Sequence, residues 1–153
     1  DQLYSKQSIP EVKSNQPNNQ MTFFRKKLGS QGEQHALDYL LKNGYQLVVK
    51  NYHNKIGEID IIVRKKSLTV FVEVKTIVLS KNSRNNDDFA QYNPEMRVGP
   101  DKQKRLVRLC RTYLAKNKLP YDIPWQIDVI AVEIDDLSGE IAEIRHHENA
   151  IHE

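Results

Sequence analysis

The sequence predicts an α/β domain: a central mixed sheet of about five strands, flanked by helices. Three observations lead there. Short runs rich in Ile and Val, such as GEIDIIV and VFVEV, read as strands. Two stretches carry apolar residues at helical spacing. The elements follow one another as helix, three strands, helix, two strands, with no internal repeat, which suits helices packed on one sheet.

Residues 1–20 are polar, with little to bury, and read as a disordered tail. Residues 21–153 are about the length of one domain. The first helix is expected to begin at Ser30, because Ser30 and Glu33 fit a capping box. Ala36, Leu37, Leu40 and Leu41 supply its apolar stripe and Gly44 its stop. Strands follow over 45–49, 57–63 and 68–75, the last two joined by a tight turn at 64–67. Residues 77–100 show almost no periodicity and read as a long loop. A second helix over 101–116 presents Leu106, Val107, Leu109, Cys110, Tyr113 and Leu114 as its buried stripe. Strands over 126–134 and 140–145 complete the chain.

Composition narrows the class. The net charge of +3 is only a mild pointer to an anionic partner. The single cysteine, Cys110, rules out an intrachain disulfide and fits a reducing compartment, so a cytoplasmic location is expected. No apolar run approaches the ~20 residues that span a membrane, and no signal-peptide pattern is present.

The chemistry lies in 57–75, GEIDIIVRKKSLTVFVEVK. Strand alternation puts Glu58, Asp60 and Ile62 on one face, and Phe71, Glu73 and Lys75 on one face of the next strand. If the turn pairs Arg64 with Ser67, Glu58 lies across from Glu73 and Asp60 across from Phe71. The hairpin then has one dry face and one face with a knot of carboxylates and an ammonium. Facing like charges destabilise a sheet. Lys75 offsets one charge; a divalent cation such as Mg²⁺ or Mn²⁺ would offset more, held by Asp60 and Glu73 with Glu58 as an extra ligand. Mg²⁺ takes one or two carboxylates and leaves its other positions to water and phosphate. Acids on neighbouring strands, a lysine and a metal form a phosphodiester-cleaving arrangement. Against this stands the plain reading of a solvated sheet face with ion pairs. The near-continuous apolar character of both strands argues against such a face.

Three blocks carry a resemblance: GSQGEQHALDYLLKNGYQLVVKNY; GEIDIIV with VFVEVKT; and KQKRLVRLCRTYL with WQIDVIAV. They resemble the YraN-like family of largely uncharacterised bacterial proteins, which is itself similar to the PD-(D/E)XK, restriction-endonuclease-like superfamily and to archaeal Holliday-junction resolvases. The resemblance implies that Asp60, Glu73 and Lys75 take the two acids and the lysine of that pattern, and Glu33 the helix-borne acid. It also implies a homodimer acting on branched or junction DNA. Where the family often has a basic residue before the late aspartate, this chain has Gln126 and Ile127 ahead of Asp128.

Glu33 has two readings, helix cap or site acid, and Asp128 has no assigned role. His53, His146 and His147 fit surface or turn positions better than a zinc site. Lys104, Arg105, Arg108 and Arg111 share one face of the second helix, which is either a solvated face or a track for phosphates, to which Arg64, Lys65 and Lys66 could add. The leading function is a divalent-metal-dependent endonuclease acting on DNA. A nucleic-acid-binding protein with the same fold but no efficient cleavage is the alternative, and an interaction module with a structural ion-pair network is a third.

Overall fold

A computed structural model describes residues 19–79 and 98–152. The order is α1 (Asn19–Lys42), β1 (Gln46–His53), β2 (Glu58–Lys65), β3 (Leu68–Leu79), α2 (Pro100–Lys116), β4 (Trp125–Asp135) and β5 (Ile141–Ile151). The strands form one five-stranded sheet in the order β1-β2-β3-β4-β5. Neighbours are antiparallel except β3 and β4, which run parallel from Thr69↔Trp125 to Leu79↔Asp135. Parallel strands need a crossover, and α2 supplies it. The mixed sheet with flanking helices is the expected class and is consistent with a restriction-endonuclease-like fold.

Both faces of the sheet are covered. Ala36, Leu37 and Leu40 of α1 pack with Ile61, Val63, Val70, Val72, Ile130 and Val132. Leu106, Leu109, Cys110 and Tyr113 of α2 pack with Ile59, Ile62, Phe71, Ile127 and Val129 on the other side. The expectation of one dry and one charged hairpin face is therefore corrected. Ile62 and Phe71, placed by alternation on the charged face, are fully buried beneath α2, and Ile59 joins them there instead of Ile61. Central strands buried on both sides need the continuous apolar runs these strands show. The hairpin acids lie where its paired rungs stop, Asp60 just before Ile61 and Glu73 just after Val72.

Helix α1 starts well before Ser30, so Ser30 is not a cap and Glu33 is not the third residue of a capping box. The pattern fits a capping box, but the helix continues through it, and Leu28, two residues before Ser30, also packs on the core. Leu41, expected in the stripe, is 46% exposed. The stop at Gly44 is as expected: φ is +83°, Gly44 N–H donates to Leu41 O and Tyr45 N–H to Leu40 O, a Schellman end that glycine adopts without strain. Gly32 has the opposite task. A β-carbon there would collide with the Thr76 side chain, so the missing side chain lets α1 lie directly on β3. Strands β1 and β5 run longer than expected, as does β3, which takes in Ile77–Leu79 from the start of the expected loop. The rest of that loop, residues 80–97, and the tail over 1–18 lie outside the described residues. Val98, just ahead of α2, is buried in the core on the α2 side.

Candidate active site

The β2–β3 turn is two residues long, Lys66 and Ser67, with Lys66 at φ +55°. Pairing runs from Lys65↔Leu68 to Ile61↔Val72. The expected register, with Arg64 opposite Ser67, is thus off by two. The shift is even, so no strand turns over, but its consequence is chemical. Continuing the observed rungs brings Asp60 opposite Glu73, instead of Phe71, and takes Glu58 away from Glu73. The two strongest acid candidates become neighbours.

The paired rungs end just short of these two residues. Beyond them Val74 N–H donates to Asp60 Oδ2 at 2.7 Å, a side-chain bond standing where the ladder has stopped. Glu73 is buried, at 6% exposure. Its Oε1 lies 3.0 Å from Lys75 Nζ, two residues along the same strand, and also accepts a short charged hydrogen bond from Lys102 Nζ at the start of α2. Burial pushes the Asp60 carboxyl up to about 7; the Glu73 charge beside it adds to the rise, and the Val74 N–H opposes it.

Asp60 and Glu73 line two clefts that meet at them. On the α2 side they join Gly57, Glu58, Lys102 and Arg105 around about 360 Å³. On the α1 side they join Arg25, Glu33, Lys75 and Thr76 around about 350 Å³. Each is roomy enough for a hydrated ion and a phosphate. Glu33 is half-buried, and burial holds its carboxyl above the usual range; Lys50 opposes this, while Glu58 and Glu73 reinforce it. Its place in α1 follows from Gly32, whose contact with Thr76 sets that helix turn against β3. The first-turn reading of Glu33 is gone, and its position beside the acids remains. Glu58 is exposed at the rim of the α2-side cleft.

Among the described residues, no three acidic, histidine or cysteine side chains converge into a ready-made metal cage. The donor set is two adjacent carboxylates: Glu73, paired with Lys75 and Lys102, and Asp60, pushed up to about 7 mainly by burial and then by the Glu73 charge. Hard oxygen ligands in that number fit Mg²⁺ or Mn²⁺ with water and phosphate completing the shell, and fit zinc poorly.

The basic face divides. Lys104, Arg105, Arg108 and Arg111 are all exposed on α2. Arg105 borders the acids. Lys104, Arg108 and Arg111 line a separate groove with Gln103, Val107 and His152. The turn basics do not join this site. From Asp60 to Lys66 the strand spans roughly 20 Å at its usual rise, and Lys65 stacks on the Tyr45 ring with Nζ 4.7 Å from its centroid.

Asp128 has a structural place. It is fully buried and accepts from Gln126 Nε2, Asn149 N–H and, at 2.7 Å, His146 Nε2. His146 is on β5 against the Tyr39 and Tyr45 rings, which corrects its expected surface or turn position. His53 and His147 are likewise strand residues, the first exposed on β1 and the second half-buried on β5.

The sequence reading passed over Lys102 and Arg25 as site residues. Lys102 was one of many helix basics, yet it sits one turn before Arg105 on the helix that follows the Glu73–Lys75 strand, and that spacing was legible.

Among curated proteins, the chain is 37% identical to a UPF0102 protein of Thermodesulfovibrio yellowstonii over 126 residues, covering 82% of this chain and 96% of that one. It is 35% identical to one of Syntrophotalea carbinolica over 130 residues, covering 85% and 95%. Among solved structures, Pyrococcus furiosus SfsA in complex with Ca²⁺ aligns at 16% identity over 84% of this chain and 63% of that one. Its TM-score of 0.32 is too low to bear on the fold. The model of the uncharacterised protein family UPF0102 matches residues 32–132, and the chain belongs to that family, the YraN family of the sequence resemblance.

Proposed function

We propose that the protein is a divalent-metal-dependent endonuclease that hydrolyses phosphodiester bonds in DNA. One observation carries the reading: the side-by-side carboxylates of Asp60 and Glu73 where β2 and β3 part, with Lys75 Nζ on Glu73. Asp60 and Glu73 would hold Mg²⁺ or Mn²⁺, with Glu58 near enough to share through water. When bound, the ion polarises a phosphoryl oxygen and lowers the pKa of a water. Lys75 presents an ammonium to the charge that grows on the phosphate. Glu33, on the α1 side of the acids, orients solvent entering that cleft. Lys104, Arg105, Arg108 and Arg111 hold the flanking backbone, which gives affinity without base recognition. Branched DNA and a two-fold dimer are part of this proposal and rest on the resemblance to junction resolvases.

Cleavage of linear duplex, single-stranded and four-way-junction DNA, with Mg²⁺ or Mn²⁺ and with chelator, tests it. Cutting that needs the metal and is lost in Asp60→Asn and Glu73→Gln supports it. Metal-independent cutting, or cutting retained in Asp60→Asn, refutes it. The alternative of binding without efficient cleavage draws on one observation, that lysines already neutralise Glu73. It predicts salt-dependent DNA binding and no product with any metal.

A further inference from the structure

Two ammonium groups share Glu73 Oε1, and they are not equivalent. Lys75 is fixed to the same strand, two residues away, so it stays beside the carboxylate. Lys102 reaches in from the first turn of α2, and its side chain is 40% exposed. A helix N-terminus carries partial positive charge and does not attract an ammonium. Glu73 is the carboxylate that draws Lys102 inward, and a flexible four-carbon stem lets Nζ leave for the cleft mouth without backbone movement. The mouth it would face is the α2-side cleft bordered by Arg105.

We propose that Lys102 is a displaceable counter-cation, which neutralises Glu73 while no divalent ion is bound and transfers to a DNA phosphate when one enters. The inference rests on the metal-site reading above. Lys102 is a positioning residue in the free protein and a phosphate contact in the loaded one. Two consequences follow from this competition. In the free protein Lys102 weakens metal binding, because the ion must displace it. In the complex it ties DNA affinity to metal, because its ammonium is released for phosphate only after the ion has taken Glu73.

The test is Mn²⁺ titration of the full chain followed by calorimetry, for wild type, Lys102→Gln, Asp60→Asn and Lys116→Gln. Lys116, in the last turn of α2, controls for the loss of one charge. Lys102→Gln should bind Mn²⁺ about five times more tightly than wild type, and Lys116→Gln like wild type. Equal or weaker binding by Lys102→Gln overturns the proposal, while loss of binding in Asp60→Asn would leave the metal site standing. If wild type binds no Mn²⁺, both readings fall together. A second measurement takes a short DNA duplex with Ca²⁺ or with chelator. Lys102→Gln should bind DNA several-fold more weakly than wild type in Ca²⁺ and equally in chelator. An equal deficit in both would make Lys102 an ordinary phosphate contact and refute the exchange.

Discussion

Replacing Asp60 with Asn should stabilise the metal-free protein at alkaline pH. The Asp60 carboxyl is pushed up to about 7 in the fold, against 3.8 for an unperturbed aspartate, mainly by burial and then by the Glu73 charge. A raised carboxyl means the folded state binds the proton more tightly than the unfolded state does. Ionised Asp60 therefore opposes folding. The penalty is absent below about pH 4, grows as pH rises, and is complete above about pH 7. The interval from 3.8 to about 7 corresponds to an upper limit of about 4 kcal/mol. Solvent reaching both clefts and the nearby Lys102 reduce this, and about 1–3 kcal/mol is expected. Asn keeps an oxygen to accept the Val74 N–H. For a chain of this size that is roughly 3 °C per kcal/mol. Thermal melts in chelator should show Asp60→Asn above wild type at pH 8 and level with it at pH 4. Millimolar Mn²⁺ should close or reverse the gap at pH 8, since an ion at about 100 times its Kd adds about 2.7 kcal/mol to wild type alone. A lower midpoint for Asp60→Asn at pH 8 in chelator would refute the reasoning, as would a gain independent of pH.

Four further outcomes are expected. Mn²⁺ affinity should drop about tenfold between pH 8 and pH 6, because the Asp60 proton, titrating near 7, competes with the ion; a flat calorimetric profile across this range would contradict the assignment. Gly32→Ala, which by helix propensity alone should stabilise by about 1 kcal/mol, should instead cost about 1–3 kcal/mol in urea unfolding, because the new methyl meets Thr76. Asp128→Ala should cost about 3–5 kcal/mol, by leaving His146, Gln126 and the Asn149 N–H without their shared acceptor; hydrogen exchange should locate the loosening at the end of β5. Replacing Lys104, Arg108 and Arg111 together by Ala should reduce the slope of log DNA affinity against log salt by about 2–3, without altering Mn²⁺ binding.

The fold class was legible because β2, β3 and β4 are almost unbroken runs of Ile, Val and Phe, and such runs have few structural options. The stop at Gly44 was legible because its Schellman bonds depend only on neighbours in sequence. The start of α1 was not. A capping box is a local preference worth about 1 kcal/mol, and the packing of half-buried Leu28 on the core outweighs it. The candidate acids could be picked from the sequence, since carboxylates in apolar strands stand out. Their geometry could not, because an even shift of register leaves every face unchanged and so gives no sign in the hydrophobic pattern. Lys102 could be placed on the Arg105 face of α2 from its spacing, but its pairing with Glu73, 29 residues away, could not, and nor could that of Asp128 with His146, 18 residues away.

The parallel pairing of β3 and β4 has a consequence for how the chain can vary. Leu79 and Trp125 bound 45 intervening residues, and that stretch must close on itself before any rung between the two strands can form. Closure entropy grows only with the logarithm of length. Twenty residues added between Leu79 and Val98 would cost the fold about 0.3 kcal/mol by that relation. Parallel pairing thus constrains where that segment leaves β3 and where it rejoins α2, and tolerates almost any length between.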